Sequence, residues 1–124
     1  IFSRRAEIQN IYETHLSEVE EVKILKPNVH STHVPFRVVA LTRDNQQDVS
    51  DFMKDRGIEV RTLFYPLHKQ PCFADLSKNQ DFHDECYQNS IYAFEHGMCL
   101  PAYPQLKDEE IKYICDTLKE YYNV

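Results

Sequence analysis

The chain has 124 residues and a mass of 14.7 kDa, of which 42% are hydrophobic and 27% charged, so it is sized for one domain with one core. Fourteen basic against twenty acidic residues give a net charge of −6, which opposes both a phosphate-backbone footprint and docking on an anionic membrane. No apolar run approaches the roughly 18 residues that span a bilayer, and no signal-like N-terminus is present.

The apolar pattern alternates between helical and strand periods along the chain. Ile8, Ile11, Tyr12, Leu16 and Val19 recur at three- and four-residue steps and predict a helix from about Ser3 to Glu18, with Ser3 as its N-cap. Val22 to Leu25 reads as a short strand closed by Lys26-Pro27-Asn28. The β-branched run Val34 to Thr42 reads as a longer one, with Pro35 tolerable near its start. Thr42 to Asn45 offers capping side chains for a helix whose stripe is Val49, Phe52 and Met53, and Gly57 is placed to end it in a positive-φ conformation.

Ile58 to Phe64 alternates as a strand does, and Tyr65 to Ser77 is a loop interrupted by Pro66 and Pro71. A helix is expected from about Asp81 to Glu95, with Phe82, Cys86, Tyr87, Ile91 and Phe94 facing inward and Gly97 stopping it. Met98 to Leu100 is a very short strand. A last helix runs from about Asp108 to Tyr121 on a stripe of Ile111, Ile114, Cys115, Leu118 and Tyr122, with Asp108, Glu109 and Glu110 complementing its positive N-terminal end. This order predicts an α+β fold in two layers: a three- or four-stranded, mainly antiparallel sheet with helices packed on it, spanning residues 1–124 as a single domain.

Candidate chemistry is sparse. With Gly57 and Gly97 as the only glycines, neither a G-x-G-x-x-G fingerprint nor a phosphate-binding P-loop can be written. His30/His33, His83/Cys86 and His96/Cys99 each set two ligand types three apart, but mixed pairs of this kind are poor zinc knuckles, and no metal is expected. The four cysteines form no C-x-x-C pair and read as reduced packing thiols of a cytoplasmic protein. Cys72, near His68, is the one candidate nucleophile, and a small apolar loop residue is its plainer reading. The loop Tyr65-Pro66-Leu67-His68-Lys69-Gln70-Pro71-Cys72-Phe73 stands apart. It follows a strand end, where binding residues often sit, and gathers a phenol, an imidazole, an amide and a phenyl ring suited to a polar ring such as a sugar or nucleotide.

At this loop the chain resembles the C-terminal small domain of the DegT/DnrJ/StrS family of PLP-dependent nucleotide-sugar aminotransferases. Tyr65, Pro66, His68, Gln70, Pro71 and Phe73 match a Y-P-x-H-x-Q-P-x-F pattern. Arg4-Arg5 with Tyr12, His33 before Pro35-Phe36-Arg37, Arg43 ahead of Gly57-Ile58, and Leu100-Pro101-Ala102-Tyr103-Pro104 follow in the family's order. Cys99 stands where serine is common.

The resemblance implies transfer of an amino group, usually from glutamate, to a nucleotide-linked keto-sugar, by homodimers whose active sites lie at the subunit interface. It implies that Tyr65, His68, Gln70 and Phe73 line the mouth of the substrate site. It also implies that PLP, its anchoring lysine and the residues holding its phosphate belong to a preceding large domain, so this chain alone is expected to be inactive and to bind no PLP. The start at Ile1 fits a processed or partial polypeptide. A stand-alone nucleotide-sugar binding or regulatory module is one alternative. Part of a PLP-dependent sugar dehydratase, in which histidine replaces the lysine, is another.

Overall fold

The computed structural model describes residues 1–78 and 83–124. Among the described residues, helices and strands occur in the order α1 (Phe2–His15), β1 (Val22–Ile24), β2 (Val38–Thr42), α2 (Gln46–Lys54), β3 (Arg61–Thr62), α3 (Gln88–His96), β4 (Gly97–Leu100) and α4 (Asp108–Tyr122). The 3-10 turns Leu67–Lys69, Pro71–Lys78 and Asp84–Tyr87 lie between β3 and α3. The strands form one antiparallel sheet in the order β1-β2-β4-β3. Because β2 and β3 are each antiparallel to β4, they run parallel to one another, and the chain joins them through α2, as parallel strands require a crossover. The expected α+β two-layer fold is therefore present.

The register assigns the faces. Ile24, Ala40 and Met98 are partners along one row, Val38 and Leu100 along the next, and all are buried. This face meets α1, α2 and α4, whose Ile8, Tyr12, Val49, Met53, Ile111, Cys115 and Leu118 complete the core. On the opposite face Lys23 is exposed, Val39 and Leu41 are half-buried, and Cys99 is covered in part by Arg37, whose Nη1 lies 3.8 Å from its Sγ.

Local chemistry explains the two helices with the clearest sequence pattern. Asn45 caps α2, its side-chain oxygen accepting from the Gln47 N–H at 2.9 Å, and Gly57 follows with φ of 77°. The Glu110 carboxylate accepts from the Lys107 N–H at 2.8 Å at the start of α4, and Asn123 ends that helix in the left-handed conformation. The whole expected stripe of α4 is buried.

Five expectations need correction. The first helix stops at His15, and Leu16 and Val19 enter the core from the turns that follow it. Its N-cap position is Ile1, with Ser3 already inside the helix. The strand expected over Val34 to Thr42 begins only at Val38, because Pro35 and Phe36 turn their carbonyls to the Arg5 guanidinium (3.3 and 2.6 Å) instead of to a neighbouring strand. The strand expected over Ile58 to Phe64 is reduced to Arg61–Thr62, since β3 is an edge strand and finds ladder partners only at Cys99 and Met98. The helix expected over residues 81–95 becomes the tight turn Asp84–Tyr87 followed by α3. Cys86 is exposed, Tyr87, Ile91 and Phe94 are half-buried, and Phe82 lies outside the described residues.

Gly97 stops α3 by space and not by handedness. Its backbone is extended (φ −98°), and a Cβ there would run into the Ala93 carbonyl oxygen and the Leu63 side chain. Gly97→Ala should lower stability by about 1–3 kcal/mol through overpacking, read from urea unfolding midpoints.

Tyr12 and Cys115 carry a pH dependence. Burial raises the Tyr12 phenol well above its usual range and pushes the Cys115 thiol up to about 12. Both keep protons in the fold that the unfolded chain releases, so their contribution is complete below the unfolded values and is lost as pH climbs past them. Stability should fall by roughly 3 kcal/mol between about pH 8 and 10.5. A flat profile of unfolding midpoints over that interval would contradict it.

Candidate functional site

The segment from Leu63 to Phe73 leaves the sheet at its β3 edge. Leu63 lies against Gly97, so the loop starts from a point in contact with the sheet. Pro66 sets the backbone for the first turn, and Lys69 N–H to Pro66 C=O (3.0 Å) and Gln70 N–H to Leu67 C=O (3.1 Å) close it. Phe73 N–H then bonds the Gln70 carbonyl at 2.9 Å and opens the second turn. Two tight turns bring Tyr65, His68, Gln70 and Phe73 into one short segment, but their side chains do not share one environment.

Tyr65 is 45% exposed, its ring edge-on to Phe94 of α3 at 5.2 Å. Gln70 and Phe73 are half-buried. His68 turns inward: its side chain is only 4% exposed and its ring stacks on Tyr87 at 4.4 Å with an interplanar angle of 19°. Nε2 of His68 lies 3.0 Å from Oδ1 of Asp84, and Nζ of Lys69 donates to Oδ2 of the same carboxylate at 3.0 Å. The bond to Lys69, and secondly that to His68, hold Asp84 below the usual carboxylate range, while Asp84 raises the Lys69 ammonium. Asp84 therefore stays ionised at neutral pH. A carboxylate only accepts, so the imidazole must carry its proton on Nε2 to make this bond.

Sequence reasoning missed Asp84. It is sixteen residues from His68 and follows no spacing rule, and its one visible trait is a place among the acidic residues opening a helical turn. Phe64 (89% exposed) and Leu67 (69% exposed) lie on the outside of the same loop. Two grooves of about 590 and 610 Å³ are elsewhere, one between residues 57–61 and the start of α4, the other between the end of α1 and β1, and none of the four predicted residues lines either. Of the four predicted residues, Tyr65 is the most exposed.

PLP needs a lysine whose amine can be held unprotonated next to the cofactor, usually by desolvation. Among the described side chains Lys26, Lys69 and Lys112 are ion-paired to Glu13, Asp84 and Asp116, and Lys23, Lys54 and Lys107 are exposed. Half-buried Lys119 sits in the last turn of α4, away from the loop in sequence. The lysines among the described side chains do not fit the cofactor's anchoring site. Among the described residues no three His, Cys, Asp or Glu side chains converge as a metal site would require, and no helix is long and apolar enough to cross a membrane.

Residues 1–119 match the model of the DegT/DnrJ/EryC1/StrS aminotransferase family. The chain belongs to this family. It is 27% identical to GDP-perosamine synthase of Escherichia coli O157:H7, over 98% of this chain and 31% of that protein. It is 30% identical to dTDP-4-dehydro-2,3,6-trideoxy-D-glucose 4-aminotransferase of Saccharopolyspora spinosa, over 95% of this chain and 29% of that one. The chain thus spans about a third of the length of these relatives. The fold matches DesV of S. venezuelae with a TM-score of 0.87 at 16% identity, covering 98% of this chain and 32% of DesV. It matches Spr1654 of Streptococcus pneumoniae, solved in PLP and PMP forms, with a TM-score of 0.81 at 20% identity, covering 99% of this chain and 31% of that one. PLP is accordingly the cofactor of complete enzymes in this family.

None of the four cysteines is in a disulfide. Native protein should titrate two of them rapidly with a disulfide reagent, exposed Cys72 and Cys86, and release buried Cys99 and Cys115 only on unfolding. Peptide mapping of the labelled sites would check the assignment, and early labelling of Cys115 would refute it.

Proposed function

We propose that this chain is the C-terminal small-domain part of a PLP-dependent aminotransferase that passes an amino group, from glutamate, to a nucleotide-linked keto-sugar. The family match over residues 1–119, with relatives that are named for sugar amination, carries this reading. The cofactor would supply the electron sink for amino-group transfer. Its lysine and phosphate contacts would come from a large domain of a longer polypeptide, because the lysines described above are solvated, paired or remote from the loop. On this reading the chain alone is inactive, and the complete enzyme is a homodimer in the cytoplasm.

The 65–73 loop has the chemistry to choose the sugar. Tyr65 and Phe73 offer ring faces or edges to a pyranose, Gln70 offers a two-way hydrogen-bonding amide, and His68 stiffens the turn that spaces them. In this arrangement the loop contributes to substrate binding and leaves cofactor binding untouched. His68→Ala in the complete enzyme should therefore raise the KM for the nucleotide-sugar roughly tenfold with PLP occupancy unchanged. Unaltered sugar kinetics would sink the assignment of the loop, and a complete enzyme with no amino transfer to any nucleotide-linked keto-sugar would sink the function.

A further inference from the structure

We propose that Asp84 is a positioning residue for the sugar-binding loop, acting through His68. The proposal rests on the reading of that loop as substrate-contacting and adds a residue from a different segment of the chain.

Three observations carry it. First, the two oxygens of one carboxylate engage two consecutive loop side chains, Oδ1 taking His68 Nε2 and Oδ2 taking Lys69 Nζ, each at 3.0 Å. Second, the same short segment, Asp84 to Tyr87, holds the buried His68 ring at its face and at its edge. Stacking on Tyr87 sets the tilt of the imidazole. The bond from Nε2 to Asp84 fixes the edge and settles which nitrogen carries the proton. Third, the anchor is firmly seated. Asp84 and Tyr87 bound the turn that runs directly into α3, and α3 passes without a connecting loop into β4 in the middle of the sheet. Phe94 of the same helix meets Tyr65. The α3 segment thus grips the loop at both Tyr65 and His68, and the spacing between those side chains is set by a rigid neighbour.

The bridge is poorly placed to be a stability element. Asp84 is 58% exposed and Lys69 35%, and solvated pairs of this kind contribute little to folding. What the carboxylate governs is orientation of a buried ring. The two halves of the bridge are separable: Asn at position 84 keeps an oxygen that can accept from Nε2 and loses the charge that pairs with Lys69, whereas Ala loses both.

The test uses the complete aminotransferase, with the nucleotide-sugar and glutamate half-reactions assayed separately. Asp84→Ala should raise the nucleotide-sugar KM roughly tenfold and leave the glutamate half-reaction unchanged, and Asp84→Asn, which keeps the acceptor for Nε2, should raise it distinctly less. In a His68→Ala background Asp84→Ala should add nothing, as expected of a residue acting through another. Wild-type kinetics in Asp84→Ala, or additive losses in the double variant, would overturn the proposal. A second readout needs no turnover: carbethoxylation of His68 by diethyl pyrocarbonate, followed by peptide mass spectrometry with exposed His30 as internal standard. His68 should react slowly in the wild type and several-fold faster in Asp84→Ala. Equal rates show that Asp84 does not hold the ring and overturn the proposal even if the sugar reading stands. Faster labelling in an enzyme that turns over no nucleotide-sugar would leave Asp84 as the anchor of His68 while overturning the function assigned to the loop.

Discussion

The contact between Gly97 and Leu63 organises much of the chain. α3 enters β4 with no connecting residues, so the first strand residue must sit against the last turn of the helix and against whatever precedes the loop. Only a residue without a Cβ fits between the Ala93 carbonyl and the Leu63 side chain. From that close approach β4 runs on between β2 and β3, and β3 pairs with it through two residues. It also places the start of the 65–73 loop beside α3, where Phe94, Tyr87 and Asp84 are waiting for it. The geometry of the candidate site is thus a consequence of how a helix joins a strand elsewhere.

The residues that mark the family turn out to be staples between segments distant in sequence. Arg4 donates to the Leu106 carbonyl at 2.6 Å and to Asp108 at 2.8 Å, tying the start of α1 to the start of α4. Arg5 collects the carbonyls of Pro35 and Phe36, and the buried Tyr12 hydroxyl donates to the Pro101 carbonyl at 2.9 Å. Each satisfies backbone carbonyls that lie outside any ladder or helix, which the prolines around them help to keep irregular. A motif of arginines, tyrosine and prolines is therefore a set of solutions to backbone hydrogen bonding. That explains why it reports on the fold more directly than on chemistry.

The division of labour within the loop follows from burial. His68 is turned inward and hydrogen-bonded to Asp84, whereas Tyr65 remains half open and Phe64 and Leu67 stand almost free. A loop that keeps its imidazole inside and Phe64, Tyr65 and Leu67 toward solvent is suited to contribute one wall of a site whose other walls lie elsewhere. The open setting of this wall agrees with the proposal that a longer, dimeric enzyme completes it.

The amino-acid order was sufficient for α2, where an N-capping group, an apolar stripe and a terminating residue agree (Asn45, Val49, Met53 and Gly57), and for α4, where acidic first-turn residues precede the stripe Ile111, Ile114, Cys115, Leu118 and Tyr122. It was also sufficient for the fold class and for the irregular stretch after β3, since turn residues and alternating periods are local signals. It misjudged β3, whose alternation extends beyond the two residues that find a partner, and the helix before β4, whose first turn is tightened into a 3-10 form. Strand length depends on the neighbour's reach, and that is a property of the assembled sheet. The same holds for Asp84. Nothing within a helical or strand period links it to His68, and only after α3 has docked on the sheet do sixteen residues of chain separation become a distance of 3.0 Å.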